Sequence, residues 1–152
     1  MINLKINRTE LNKIVEGNIR TALIIAGQGL VTYIRNSMAP GTGKKYTRDG
    51  EVHFASVAGK PPAPWTGRLR DSITYQTNFG DKCAPGPTAQ SGDVVGKPKP
   101  AMGGYVVTVG SNVDYALTME KGQKIKKVAS RPYLYPALMG NRAMIRKAFE
   151  RV

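Results

Sequence analysis

The chain has 152 residues, enough for one domain with a real core. Its 23 Lys and Arg against 10 Asp and Glu leave a formal charge of +13, which favours contact with polyanions such as nucleic acid. Cys83 is the only cysteine, so an intrachain disulfide is excluded and a reducing compartment at synthesis is expected.

The basic excess is spread along the chain. Up to residue 80 there are 11 basic and 5 acidic residues, and after it 12 and 5. The stretch MINLKINRTELNK has no apolar run of signal-peptide length. Arg20, Gln28 and Arg35 interrupt or flank the apolar stretch Ile19–Ile34, so no membrane span is expected and the protein should be cytosolic when made.

Residues 8–37 read as one long helix. Leu11, Ile14, Val15, Ile19, Ala22, Leu23, Ala26, Leu30, Val31 and Ile34 recur at three- and four-residue steps, one stripe on a 3.6-residue period. Asn7 and Glu10 have the spacing of a capping box. Gly17, Gly27 and Gly29 each weaken the helix by roughly 1 kcal/mol relative to Ala, and mark either a close approach or a kink. Pro40–Gly41 ends it.

The next stretch, 41–66, is turn-rich. Lys45–Tyr46–Thr47 and Glu51–Val52–His53–Phe54 flank an Asp49–Gly50 turn and predict a small hairpin. Pro61, Pro62 and Pro64 hold the following segment extended. A helical turn opened by Thr66 is predicted up to Ser72, then a strand over Ile73–Thr77. Residues 78–103 read as a long loop that orders against a neighbour. Tyr105–Val109 is the strongest strand. A short helix over Tyr115–Glu120 stops at Gly122. A final helix runs from Tyr133 or Tyr135 to Arg151, with Gly140–Asn141 as a weak point.

Side chains with chemical potential do not assemble into a reactive set. Pro40–Gly41–Thr42–Gly43–Lys44–Lys45 lacks the first glycine of a phosphate loop, because Met38 stands there, and Lys45 replaces the magnesium-binding hydroxyl. His53 is the only histidine, and Ser56, Ser72, Ser111 and Cys83 would all compete for it as a base. Asp71, Asp114 and Glu120 are scattered. No enzyme activity, metal or cofactor is therefore expected. Arg131–Pro132 keeps the chain extended before Pro136 opens a helix, and Arg131 is placed to pair with Glu120. Lys121, Lys124, Lys126 and Lys127 form a basic cluster, without the interleaved aromatics of a single-strand platform.

Three segments carry a resemblance. They are Gly43–Lys44–Lys45–Tyr46 through His53–Phe54–Ala55–Ser56 to Gly59–Lys60–Pro61–Pro62–Ala63, then Thr66–Gly67–Arg68–Leu69–Arg70–Asp71–Ser72–Ile73, then Val109–Gly110–Ser111, Tyr115–Ala116, Glu120–Lys121–Gly122 and Arg131 through Leu138. In this order and spacing the chain resembles the neck proteins of tailed bacteriophages, the head–tail joining, tail-completion or minor tail components. Trp65, where such proteins often carry an acidic residue, and the 78–103 insertion depart from the pattern.

The resemblance implies an α+β domain, with a mainly antiparallel sheet packed against a long N-terminal helix and a C-terminal helix. It implies a virion part that forms a ring, sixfold or twelvefold, between neck and tail tube, touching other connector proteins and the packaged duplex DNA. Candidate subunit or partner contacts are Tyr46, Phe54, Trp65, Arg68, Arg70, Tyr115, Glu120, Arg131 and Tyr133. Lys121, Lys124, Lys126 and Lys127 are the candidate contact with DNA or an acidic partner. The rival reading of the +13 charge is a sequence-nonspecific duplex DNA-binding protein.

Overall fold

The computed structural model describes residues 7–64, 66–82, 104–125 and 127–151. Helix α1 spans Arg8–Ser37, as its periodicity predicts. The Asn7 side chain accepts from the amides of Thr9 and Glu10, at 3.2 and 3.3 Å, and so satisfies donors that the first turn leaves open. Strands β1 (Lys45–Arg48) and β2 (Glu51–Phe54) pair antiparallel around Asp49 and Gly50, both at positive φ, as a tight two-residue hairpin turn requires. Helix α2 (Arg68–Ser72) leads into β3 (Thr74–Thr77), which pairs antiparallel with β4 (Val107–Gly110). Then follow α3 (Ala116–Lys121), α4 (Leu134–Gly140) and α5 (Arg142–Glu150).

The fold class is α+β, as read from the sequence. The antiparallel strands form two separate ribbons, β1–β2 and β3–β4. Between them runs the segment containing Pro61, Pro62 and Pro64, which donate no backbone hydrogen bonds to a ladder. Helix α1 packs on the β3–β4 ribbon, while α4 and α5 pack on α1. The C-terminal helix breaks at Asn141, the weak point read from Gly140–Asn141.

The core gathers Val31, Ile34 and Met38 from α1 with Leu69, Ile73, Tyr75, Val113, Ala116, Tyr133 and Ala137. Two α1 glycines make room for it. A Cβ at Gly27 would lie 2.8 Å from the Tyr75 ring, and one at Gly29 would lie 2.8 Å from the Met144 sulfur. These positions are close approaches within an uninterrupted helix.

Polar contacts tie the ends of the elements. The Ser72 hydroxyl donates to the Leu69 carbonyl, at 2.7 Å. The Ser111 hydroxyl therefore donates to Ser72 Oγ, at 2.6 Å, and joins α2 to the turn after β4. Arg35 donates to the Ile73 and Asp71 carbonyls, at 2.8 and 3.2 Å. Arg20 grips Asp81 with two hydrogen bonds, at 2.6 and 2.9 Å, and Thr77 donates to the same carboxylate.

The Arg20 hydrogen bonds, with a smaller contribution from Thr77, hold the Asp81 carboxyl below its ordinary range, against the opposing effect of burial. Its folded-state pKa is depressed. The pair therefore contributes stability above the unfolded value of about 3.9, and that stability is lost as pH falls through the folded value. Asp81→Asn should flatten the fall of the unfolding midpoint below about pH 4 relative to the unaltered chain. Parallel melting curves for the two chains would show the pair to be silent.

Candidate assembly groove

The C-terminal end of α1, the β1–β2 hairpin and the 62–71 segment enclose an open groove of about 990 Å³. The two strands of the hairpin pack chiefly on each other. Tyr46 and His53 are cross-strand partners on its half-buried face, with ring centroids 5.7 Å apart and stacked. Val52 and Phe54 are about half exposed, at 53% and 46%. Its base is fixed by the Gly43 amide donating to the Ala55 carbonyl and the Ala55 amide to the Lys44 carbonyl. Gly41 lies under this base, where a Cβ would collide with the carbonyl oxygen of Phe54.

Of the candidate contacts, Tyr46, Phe54, Arg68, Arg70, Tyr115 and Arg131 line this one groove. Met38, Leu69 and Met119 add apolar lining, and Arg48 a further cation. The lining also carries Arg48, Arg68, Arg70 and Arg131; Arg48 faces Asp49 at 3.7 Å and Arg70 contacts Asp71 at 3.1 Å. Arg48 was legible in principle: it sits two residues from Tyr46 on a strand, hence on the same face.

Two candidates belong to the fold behind the groove. Tyr133 is 1% exposed, its hydroxyl donating to the Ala116 carbonyl at 3.3 Å, so it serves the core rather than a contact surface. Burial first, then the nearby charge of Glu120 and then Tyr115, push its phenol well above the usual range.

Glu120 does not pair with Arg131. Its Oε2 accepts from the amides of Tyr133 and Leu134, at 2.8 and 2.9 Å, and its Oε1 from Tyr135 at 3.0 Å. The fourth position of that first turn is Pro136, which has no amide, so one carboxylate satisfies the whole open end of α4. Arg131 instead donates its amide to the Met119 carbonyl, at 2.6 Å, and a guanidinium N–H to the Ala129 carbonyl.

Of the lysine cluster, Lys121 ends α3, and Lys124 and Lys127 lie on a turn closed by the Gln123–Val128 bridge. All three are exposed, and Ile125 on the turn is 92% exposed. Trp65, Lys126 and most of the 78–103 insertion lie outside the described residues. Among the described residues no three His, Cys, Asp or Glu side chains are grouped to hold a metal, and no helix is long and apolar enough to cross a membrane.

The N-terminal part of the apolar stripe lies uncovered at the other end of α1. Residues 7–18 are all exposed. Leu11, Ile14 and Val15 are 47%, 56% and 45% exposed, because the elements packed on α1 cover it only from about Ala22 onward. Comparison with protein-family models, with curated proteins and with solved structures finds no match.

Proposed function

We propose that this chain is a structural component of the neck of a tailed phage, a subunit of a ring that completes the tail or joins it to the head. One observation carries the reading. The monomer leaves two built elements uncovered, the first three turns of α1 and the β1–β2 hairpin, each bearing exposed aliphatic or aromatic side chains.

An isolated two-stranded hairpin is marginal in water, and a helix end gains most of its stability from packing. Elements of this kind are stabilised by neighbours. The grouping of Tyr46, Phe54, Arg68, Arg70, Tyr115 and Arg131 around one groove supports the same reading, since these residues come from all three segments of the resemblance. A repeated contact between unlike surfaces closes into a ring when its rotation closes.

Negative-stain electron microscopy of the purified protein should show rings of uniform diameter. A strictly monomeric field at high concentration would count against the proposal. The second reading, nonspecific binding of duplex DNA, is favoured by Arg142, Arg146 and Lys147 on α5 and Arg151 just after it, all exposed. It predicts affinity that falls steeply with added salt.

A further inference from the structure

Resting on the DNA-binding reading above, and independent of the ring, we infer that two abutting turns, 57–60 and 121–128, form the surface that meets the phosphate backbone of double-stranded DNA. Carboxylates are missing from this part of the sequence. Of ten Asp and Glu, none falls within 52–70 or 121–149, while the first stretch carries three Lys and Arg and the second eight. The fold brings these two acid-free stretches together, because the Gly59 amide donates to the Ser130 carbonyl at 2.9 Å. Lys60 stands beside that bond in one stretch, and Lys121, Lys124 and Lys127 precede it in the other, all exposed.

The cations stand on a fixed backbone. Gln123 and Val128 exchange amide-to-carbonyl hydrogen bonds, at 2.8 and 3.0 Å, and Lys127 donates its amide to the Lys124 carbonyl at 3.1 Å. Gly122, at positive φ, lets the turn close back on itself: a Cβ there would lie 2.8 Å from the Ser130 nitrogen and the Val128 oxygen. The Lys60 amide closes the companion turn on the Val57 carbonyl, at 3.2 Å. A partner therefore has only side chains to order on binding. Among the described residues Lys60, Lys121, Lys124 and Lys127 form no ion pair. Glu120, next to Lys121 in the chain, has both oxygens occupied by the amides at the start of α4.

Chemistry selects the partner. These cations are lysines, compact point charges without the planar fork that reads a carboxylate bidentately. They suit a dense, rigid and repeated array of charge, such as duplex DNA offers at one phosphate per about 1.7 Å of axis. The described residues of the two turns include no aromatic ring, so the bases of a single strand find no stacking platform. An anionic bilayer would take the same lysines but needs a broad apolar face beside them. The turns offer chiefly Ile125, 92% exposed, and Val57, 43% exposed. Helix α5 is the competing surface, and its row of Arg142 and Arg146 continues four residues on to Glu150, which offsets it.

Fluorescence anisotropy of a labelled, mixed-sequence duplex of about twenty base pairs, titrated with the full chain at several salt concentrations, tests the assignment. Lys121→Gln/Lys124→Gln/Lys127→Gln strips charge from the turn, and Arg142→Gln/Arg146→Gln/Lys147→Gln strips the same charge from α5. Every one of these positions is exposed, and circular dichroism checks that each variant keeps its helix content. The turn variant should bind roughly a hundredfold more weakly, with a salt slope smaller by about three, and the α5 variant should lose less than about threefold. A loss from the turn variant no greater than that from the α5 variant overturns the assignment and leaves the DNA reading standing. No binding of the unaltered chain at low salt overturns both. Vesicles containing phosphatidylserine are titrated in parallel. Vesicle binding that the turn variant loses, with duplex binding unchanged, would give the turns to lipid and overturn the proposal.

Discussion

Glu120→Ala should lower the free energy of unfolding by about 3 kcal/mol, because three amides lose a charged acceptor at once. For a chain of this size that is a fall of roughly 6–12 °C in the unfolding midpoint. The three bonds to Tyr133, Leu134 and Tyr135 lie between 2.8 and 3.0 Å, the first two part-buried and the third exposed. Glu120→Gln keeps the acceptor oxygen but loses the charge at a helix start, and should cost about half as much. Equal midpoints for the alanine variant and the unaltered chain would remove the cap from the account. Arg131→Ala makes a useful contrast, since it leaves the three cap bonds in place.

The three glycines of α1 should respond to alanine with different signs. Helix propensity alone rewards each change by roughly 1 kcal/mol. At Gly17 nothing lies within 4 Å of the added carbon, so the full gain should appear. At Gly29 the obstacle is the Met144 sulfur and terminal methyl, the far end of a flexible side chain that swings aside at small cost. At Gly27 it is the near end of the Tyr75 ring at 2.8 Å, with a Val107 methyl at 3.0 Å. Tyr75 is 2% exposed and has nowhere to go. Overpacking there costs about 1–3 kcal/mol or more, enough to outweigh the propensity gain. Chemical denaturation of the three variants reads the signs directly. A stabilised Gly27→Ala would mean that α1 does not pack closely on the β3–β4 ribbon.

These two cases show what the sequence made legible. Local grammar was sufficient for the long helix with its Asn7 cap, the Asp49–Gly50 hairpin, the Gly122 stop and the break at Asn141, because each depends on neighbours in the chain. Long-range partners were not. Glu120 and Arg131 have opposite charges and suitable spacing, yet the carboxylate is taken by backbone amides, a demand that exists only once α4 starts beside α3.

The apolar stripe of α1 was correct in period and incomplete in coverage. Periodicity marks Leu11, Ile14 and Val15 as a face, and only the lengths of α4 and α5 decide that this face lies beyond the end of the body. The groove itself joins residues 38–71 to Tyr115, Met119 and Arg131. The strands of that hairpin were readable, whereas the close approach of Gly41 to the Phe54 and Ala55 carbonyls at its base was not.

A scattering of exposed aliphatic side chains is ordinary on a soluble surface. Here the exposed ones gather on the first turns of α1 and on the β1–β2 hairpin. The proposed neck role is most directly tested in purified tailed-phage particles. Quantitative mass spectrometry of purified particles, scaled to the major capsid protein, should find the chain at six or twelve copies per particle. Its absence from purified particles would contradict the account.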